Sequence, residues 1–353
     1  MDNVIYRLWL KNATSNSQAR KLISKYKTAQ NVYEQTDYSH DSFLPEKSLA
    51  NLADKSLDRA KNILNRCKEL DIQVLTPESE DYPIMLKDMT DLPCVLFSKG
   101  NIPDWNNIIT IGVVGTRRIS IYGKEVTELL SRKIAQSGGV IVSGFASGAD
   151  TIAATAATQC NAPTIAVLGC GIDIVYPAHN KSLYNKVLEK GLFVSEHEPG
   201  TKPVYFNFPV RNRIIVGLSR CVLVTEAPKK SGAILTAQMA MKKNKPVFTV
   251  PGQINRSSCD GTNLLMKQGA ITVFGAEDIL SSFPQLHPYH EDAKSSHEPE
   301  TDPILKALNA GDMNMDQLCA ATNLSVVECN SRCFMLELAG KIQKLPANYY
   351  HKL

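Results

Sequence analysis

Ile108-Ile109-Thr110-Ile111-Gly112-Val113-Val114, followed at once by Gly115-Thr116-Arg117-Arg118, is the stretch from which the fold can be read. Seven uncharged residues rich in β-branched side chains end in a glycine turn that carries two guanidinium groups. A run this short and this apolar reads as a strand buried on both faces. Similar runs recur downstream at 140–142, 164–168, 192–194, 222–225, 247–250 and 271–274. Between them lie helix-like segments at 123–136, 149–159, 181–190, 231–242 and 263–267. Strand and helix alternating at these lengths predict an α/β domain, a doubly wound, mainly parallel sheet covered on both faces. Ligands of such a sheet bind at the carboxyl ends of its strands.

Those ends carry Gly115-Thr116-Arg117, Ser143-Gly144 with Gly148-Ala149-Asp150, Gly169-Cys170-Gly171, and Glu226 with Ser231-Gly232. Backbone N–H groups at small-residue turns and helix starts favour phosphate oxygens. Charge points the same way. From Thr201 to Arg256 ten cations stand against one acid, Glu226, although the whole chain nets only +4. Tyr205, Phe206 and Phe208 are interleaved with them. A concentrated positive field beside aromatics suits a polyanion with exposed bases, the bland alternative being a solvated face. Arg211-Asn212-Arg213 follows an aromatic–proline turn and precedes Ile214-Ile215-Val216, so these residues are expected at an element boundary, where loops carry function.

A chain of 353 residues with a 43% hydrophobic share is expected to form two or three globular domains. It shows no secretory leader and no apolar run long enough to span a membrane, and its nine scattered cysteines suit buried, reduced thiols in the cytoplasm. Residues 1–105 read as a helical front domain, with helices over 17–27 and 48–70 and a short strand at 95–97. Residues 106–284 form the sheet domain. Residues 285–302, polar and acidic and holding His287, His290 and His297, read as a linker rather than a metal site. Residues 303–353 read as three short helices followed by a strand or wing at 340–345, a winged helix. Its third helix carries only Arg332 against Glu328 and Glu337, too little positive charge for a duplex-reading helix, which favours a protein-contact or regulatory role.

Other chemistries fit poorly. Gly112-Val113-Val114-Gly115 lacks the dinucleotide glycine spacing, and Gly123-Lys124-Glu125 is no phosphate loop. Ser195-Glu196-His197-Glu198 alternates across a strand end and reads as a surface ladder. No nucleophile with a base and no metal-ligand set stands out, so neither catalytic residues, nor a metal, nor a cofactor is expected.

The motifs together resemble the DNA-processing protein A family (DprA, also called Smf). Val114-Gly115-Thr116-Arg117, Ser143-Gly144 with Gly148-Ala149-Asp150, and Ala166-Val167-Leu168-Gly169-Cys170-Gly171-Ile172-Asp173 with Tyr176-Pro177 and Asn180 follow its pattern. So do Ser195-Glu196, Pro199-Gly200-Thr201 and Phe208-Pro209-Val210-Arg211-Asn212-Arg213-Ile214-Ile215. Ser231-Gly232-Ala233-Ile234-Leu235-Thr236-Ala237, Val250-Pro251-Gly252 and Gly261-Thr262-Asn263 complete it. Ala153-Ala154-Thr155 stands where the family usually has a histidine. The resemblance implies an extended Rossmann-like domain between a small helical front domain (of the SAM or helix-hairpin kind) and a winged helix. It implies a non-enzymatic, cytoplasmic, homodimeric protein that binds single-stranded DNA and helps load the recombinase RecA, as in natural transformation. Carried over by position, Arg117 would grip a phosphate beside Gly115 and Thr116. Arg211, Asn212 and Arg213 would line the pocket with Ser231 and Gly232. Lys202 and Lys181 would add charge, and Phe206 or Phe208 would stack on a base. Two other readings stay open: a nucleoside-monophosphate phosphoribohydrolase with Glu226 as its carboxylate, and a hub whose basic strip meets an acidic protein.

Overall fold

The computed structural model describes residues 2–286, 302–338 and 340–352, and the chain divides into two compact units, Met1–Tyr289 and His290–Leu353. In the first unit the apolar runs become strands of one nine-stranded sheet. They are β1 (Gln73–Leu75), β2 (Leu96–Gly100), β3 (Thr110–Val114), β4 (Val140–Ser143), β5 (Thr164–Leu168), β6 (Leu192–Ser195), β7 (Cys221–Val224), β8 (Val247–Thr249) and β9 (Ile271–Thr272). The order is β1-β2-β6-β5-β4-β3-β7-β8-β9. All pairings from β6 to β9 are parallel, whereas β2 runs antiparallel to both β6 and β1. Every residue of β3 to β7 is buried, the reason these strands read as unbroken apolar runs.

The chain leaves β3 for β4, β5 and β6 on one side, then returns to β7, β8 and β9 on the other. The strand order therefore reverses between β3 and β7, where the loops leaving neighbouring strands part and open a crevice. Five helices precede the parallel strands: α1 (Asp2–Ala13), α2 (Asn16–Tyr26), α3 (Ala29–Glu34), α4 (Glu46–Ala53) and α5 (Asp58–Glu69). The others are α6 (Ile121–Gln136), α7 (Ala149–Gln159), α8 (Lys181–Lys190), α9 (Asn207–Leu218), α10 (Gly232–Lys242), α11 (Asp260–Lys267) and α12 (Glu277–Leu280). Among the described residues no helix is long and apolar enough to cross a membrane.

Four expectations change. The single helix over 48–70 is two, α4 and α5, because the Asp54 carboxylate accepts from Ser56 N (2.9 Å), Ser56 Oγ accepts from Asp58 N (3.2 Å) and Trp9 Nε1 donates to the Asp54 carbonyl (2.8 Å). Such side-chain turns compete with helix continuation. Second, no boundary falls at 105. β1 and β2 belong to the main sheet, and Leu8, Ala60, Ile63 and Cys67 share one core with Phe97 and Phe193. Third, Ser195–Glu198 is no solvated ladder: Glu198 pairs with Lys11 (3.2 Å) and Arg59 (3.2 Å), fastening α1 and α5 to the end of β6. Fourth, Arg211-Asn212-Arg213 lies inside α9 rather than at an element boundary.

The second unit comprises α13 (Pro303–Leu308), β10 (Met313–Asn314), α14 (Met315–Thr322), α15 (Val326–Leu338), β11 (Ile342–Leu345) and β12 (Tyr349–Lys352), with strand order β10-β12-β11. Asn314 and Gln317 form a reciprocal cap at the start of α14. Ile304, Leu308, Leu318, Cys329, Leu336, Ile342 and Tyr350 form its core. This is the winged-helix order expected from the sequence. Most of the expected linker, residues 287–301 with its three histidines, lies outside the described residues.

Candidate nucleic-acid interface

The loop Gly115–Arg118 leaves β3, and Pro228-Lys229-Lys230 leads into α10 from β7, so the two loops stand on either side of the switch point. Between them and the start of α9 lies an open cleft of about 830 Å³. Gly115, Thr116, Arg117, Arg211, Asn212, Ser231 and Gly232, all singled out in the sequence, line it. Tyr205, Phe208, Arg118, Lys229, Lys230 and Asp150 line it too.

The cleft is built on capped helices and tied loops. Ser120 starts α6 by accepting from Gly123 N (3.0 Å), and Ser231 starts α10 by accepting from Ile234 N (3.3 Å). Glu226 fastens the first loop. Its carbonyl accepts from Thr116 N (2.7 Å), and its Oε2 accepts from Ser120 N (3.0 Å) and Ser120 Oγ (2.8 Å). Glu226 is 1% exposed and does not line the cleft, so its carboxylate braces a loop instead of facing a ligand.

At the floor, Arg211 is 4% exposed. Its Nη1 donates to the carbonyls of Gly144 (2.6 Å) and Val167, and its Nε donates to Asn212 Oδ1 (3.1 Å). Asn212 Nδ2 passes the link on to the Gly232 carbonyl (3.3 Å). The Arg211 guanidinium thus ties the loop after β4 to β5, and Asn212 extends the link to the start of α10. Asp150, in the first turn of α7, accepts from Gly144 N (2.9 Å) and Ala146 N (3.4 Å). Burial pushes its carboxyl up to about 6, offset in part by the Arg211 charge. Burial likewise pulls Arg211 down to about 10, with Asp150 opposing.

The other expected site residues disperse. Arg213 points away from the cleft: Nη2 forks to both Glu196 oxygens (2.7 and 2.6 Å) and Nε meets Asp91 (3.1 Å). The expectation that it lines the pocket is corrected, because its charge is spent on carboxylates that lock α9 to β6. Lys202 and Lys181 are exposed farther along the same rim, outside the cleft lining. Phe206 is 81% exposed but does not line the cleft, whereas Tyr205 is 76% exposed and does. Phe208 is half-buried, with the Arg117 guanidinium carbon 5.1 Å and that of Arg211 5.9 Å from its ring centre.

The basic strip also divides. Arg220 precedes β7, and Lys242, Lys243 and Lys245 precede β8, so these four stand at the amino ends of the strands, opposite the cleft. Lys245 caps α9, donating to the carbonyls of Val216 (2.7 Å), Gly217 (3.0 Å) and Ser219 (2.6 Å). Of the strip, Arg211, Lys229 and Lys230 remain at the cleft, where Arg117 and Arg118 join them, with Lys229 only loosely paired to Asp260 (3.9 Å). Lys229 and Lys230 had a signal in the sequence, two lysines between a strand end and a capping serine.

Comparison with known proteins agrees with this architecture. Residues 73–284 match the family described as DNA recombination-mediator protein A, and residues 288–348 match the DprA winged helix domain. DNA processing protein DprA of Bacillus subtilis is 37% identical over 238 residues, which are 67% of this chain and 80% of that protein. Protein Smf of Synechocystis sp. is 33% identical over 318 residues, 79% of this chain and 80% of that one. Among solved structures, DprA from Streptococcus pneumoniae superposes with a TM-score of 0.69 at 32% identity, covering 78% of this chain and 96% of that one. A structure describing the single-stranded DNA binding mode of DNA processing protein A from Helicobacter pylori gives 0.55 at 33% identity, covering 60% and 96%. With a family match over most of the sheet-bearing unit and another over the winged helix, the chain belongs to the DNA recombination-mediator protein A family, DprA or Smf.

Proposed function

We propose that this protein binds single-stranded DNA in the cleft at the β3–β7 switch point, without catalysis, and delivers the strand to the recombinase RecA. The observation that carries the reading is the cleft itself. Four basic side chains ring it, small-residue loops with accessible backbone line it, and an exposed ring, Tyr205, stands at its edge. Backbone phosphates would meet Arg117, Arg118, Lys229 and Lys230, with Lys202 and Lys181 extending the track along the rim. Bases would stack on Tyr205 and Phe206, since every base offers a π-face. Arg211 and Asn212 hold the floor that positions these groups. The single-strand binding described for the Helicobacter pylori relative supports the assignment. A homodimer in the cytoplasm is the assembly in which we place this activity.

Nothing in the geometry favours nucleotide cleavage by Glu226, whose carboxylate is turned to Ser120. The test is filter binding of a (dT) oligonucleotide across a salt series. Log affinity should fall against log salt by about 0.7 per phosphate neutralised, giving a slope near −3 for four contacts. In parallel, the protein should shorten the lag of RecA filament formation on the same strand. A flat salt series would refute the cleft assignment, and an unchanged lag would refute the delivery step alone.

A further inference from the structure

Three thiols lie along one seam of the second unit, where α15 packs on α14. Cys329 and Cys333, one turn apart on α15, are buried, whereas Cys319 packs against the same core from α14 and is partly open to solvent. The turn between the helices sets the seam. Asn323 ends α14 in the left-handed region. At the start of α15, Ser325 Oγ accepts from Glu328 N (3.3 Å), and Ser325 N donates back to the Glu328 carboxylate (3.0 Å). Entering at that angle, α15 turns Cys329 onto α14. Its sulfur lies 3.6 Å from Thr322 Oγ1 and shares a hydrogen bond with the Cys319 thiol, one turn before Thr322.

We propose that Cys319 and Cys329 are an oxidisable pair that closes to a disulfide and locks α15 onto α14. Thiols already in hydrogen-bond contact need only side-chain rotation to reach the bonding distance of about 2 Å. The oxidant is a hydroperoxide. Cys319, the thiol that solvent reaches, attacks it as the thiolate. The O–O bond breaks, one oxygen stays on sulfur as a sulfenic acid, and the other leaves as water or an alcohol. The Cys329 thiol then attacks the sulfenic sulfur, and the S–O bond breaks as water departs. Two thiols have given up two protons and two electrons, and the peroxide has taken them. Burial, the bond to Cys329 and the Asp316 charge raise the Cys319 thiol above its ordinary value, so the first step is slow at neutral pH. Cys333 is a spectator. It stands four residues from Cys329 on one helix, where Cβ atoms are about 5–6 Å apart, beyond the roughly 4 Å of a disulfide. The bridge fixes the helix that carries Val326, Val327, Phe334 and Met335, all more than half exposed.

The experiment treats the full chain with hydrogen peroxide at about pH 8, blocks the remaining thiols with iodoacetamide and maps the peptides without reduction. One linked pair, Cys319 with Cys329, is expected, lighter by two hydrogens and undone by dithiothreitol. Cys333→Ser should keep it and Cys319→Ser should abolish it. Cys329→Ser should abolish it too; because that residue is buried, Cys319→Ser carries the test should the Cys329 variant unfold. Protease should cut the second unit of the bridged chain at least about tenfold more slowly than that of the reduced chain, since the bridge restricts the opened state. Full alkylation of both cysteines after peroxide, oxidation of Cys319 that stops short of a bridge, or a bridge to Cys333 or to another chain would overturn the pairing. A formed bridge with an unchanged rate of cutting would overturn the lock.

Discussion

Arg211 and Asp150 hold the same glycine from its two sides: Arg211 Nη1 donates to the Gly144 carbonyl at 2.6 Å, and Gly144 N donates to the Asp150 carboxylate at 2.9 Å. No side chain fits there. A Cβ at position 144 would lie 2.6 Å from Asp150 Oδ2 and closer still to Arg211 Nη2. Gly144→Ala is expected to cost about 1–3 kcal/mol, the range for overpacking a closed site. Urea denaturation measures it, and the variant should lose strand affinity along with stability. An unchanged midpoint would show that the floor yields.

The same pair predicts a pH dependence. The Asp150 carboxyl is raised to about 6 from an ordinary 3.8, burial being the main cause. A raised value means that the folded chain holds this proton more tightly than the unfolded chain does. The contribution is complete below about pH 4 and is lost as pH rises through 6, amounting to on the order of 3 kcal/mol. Asp150→Asn removes it. Between pH 4 and 7 the wild-type urea midpoint should therefore fall relative to that of Asp150→Asn; parallel curves would contradict the assignment.

Arg213 is expected to matter for folding and not for phosphate contact. Its fork to Glu196 is nearly buried, both side chains being little exposed. Removing one partner of such a pair strands the other charge, so Arg213→Ala should destabilise by about 3 kcal/mol. The folded variant should keep the wild-type salt slope. A slope reduced by one phosphate would return Arg213 to the DNA track.

Tyr205 is the aromatic whose loss should register most directly on the bases. Tyr205→Ala is expected to weaken single-strand binding by about 1–3 kcal/mol. Its salt slope and melting temperature should stay unchanged, because the ring is exposed and carries no charge. Anisotropy titration would show it, and an unaltered affinity would remove Tyr205 from the base platform.

The strands were legible because burial on both faces leaves an uninterrupted apolar signature, as in Thr164–Leu168. Helix α9 was not legible, and for a related reason. All eight residues from Arg211 to Leu218 are buried, so no polar stripe marks a helical period. Its arginines misled for the same cause. Composition counts a guanidinium but does not say whether it meets water, as Arg117 does, a carbonyl, as Arg211 does, or the Glu196 carboxylate beyond the end of β6, as Arg213 does. The basic strip likewise runs through both ends of β7 and β8, so a linear count merges charges that the sheet sends to opposite rims. The glycine and serine loops were readable as a rim because each follows an apolar strand. The brace made by Glu226 and Ser120 joins residues over a hundred positions apart and leaves no local pattern.

A cleft of this kind is expected to select an unpaired strand over a duplex. Fluorescence anisotropy of a labelled (dT) oligonucleotide, titrated at two salt concentrations beside a duplex of the same length, tests it most directly. Binding is expected to be tighter to the single strand at both salts, weaker at the higher one, and clearly reduced by Arg117→Ala. Equal affinity for the duplex, or binding indifferent to Arg117, would contradict it.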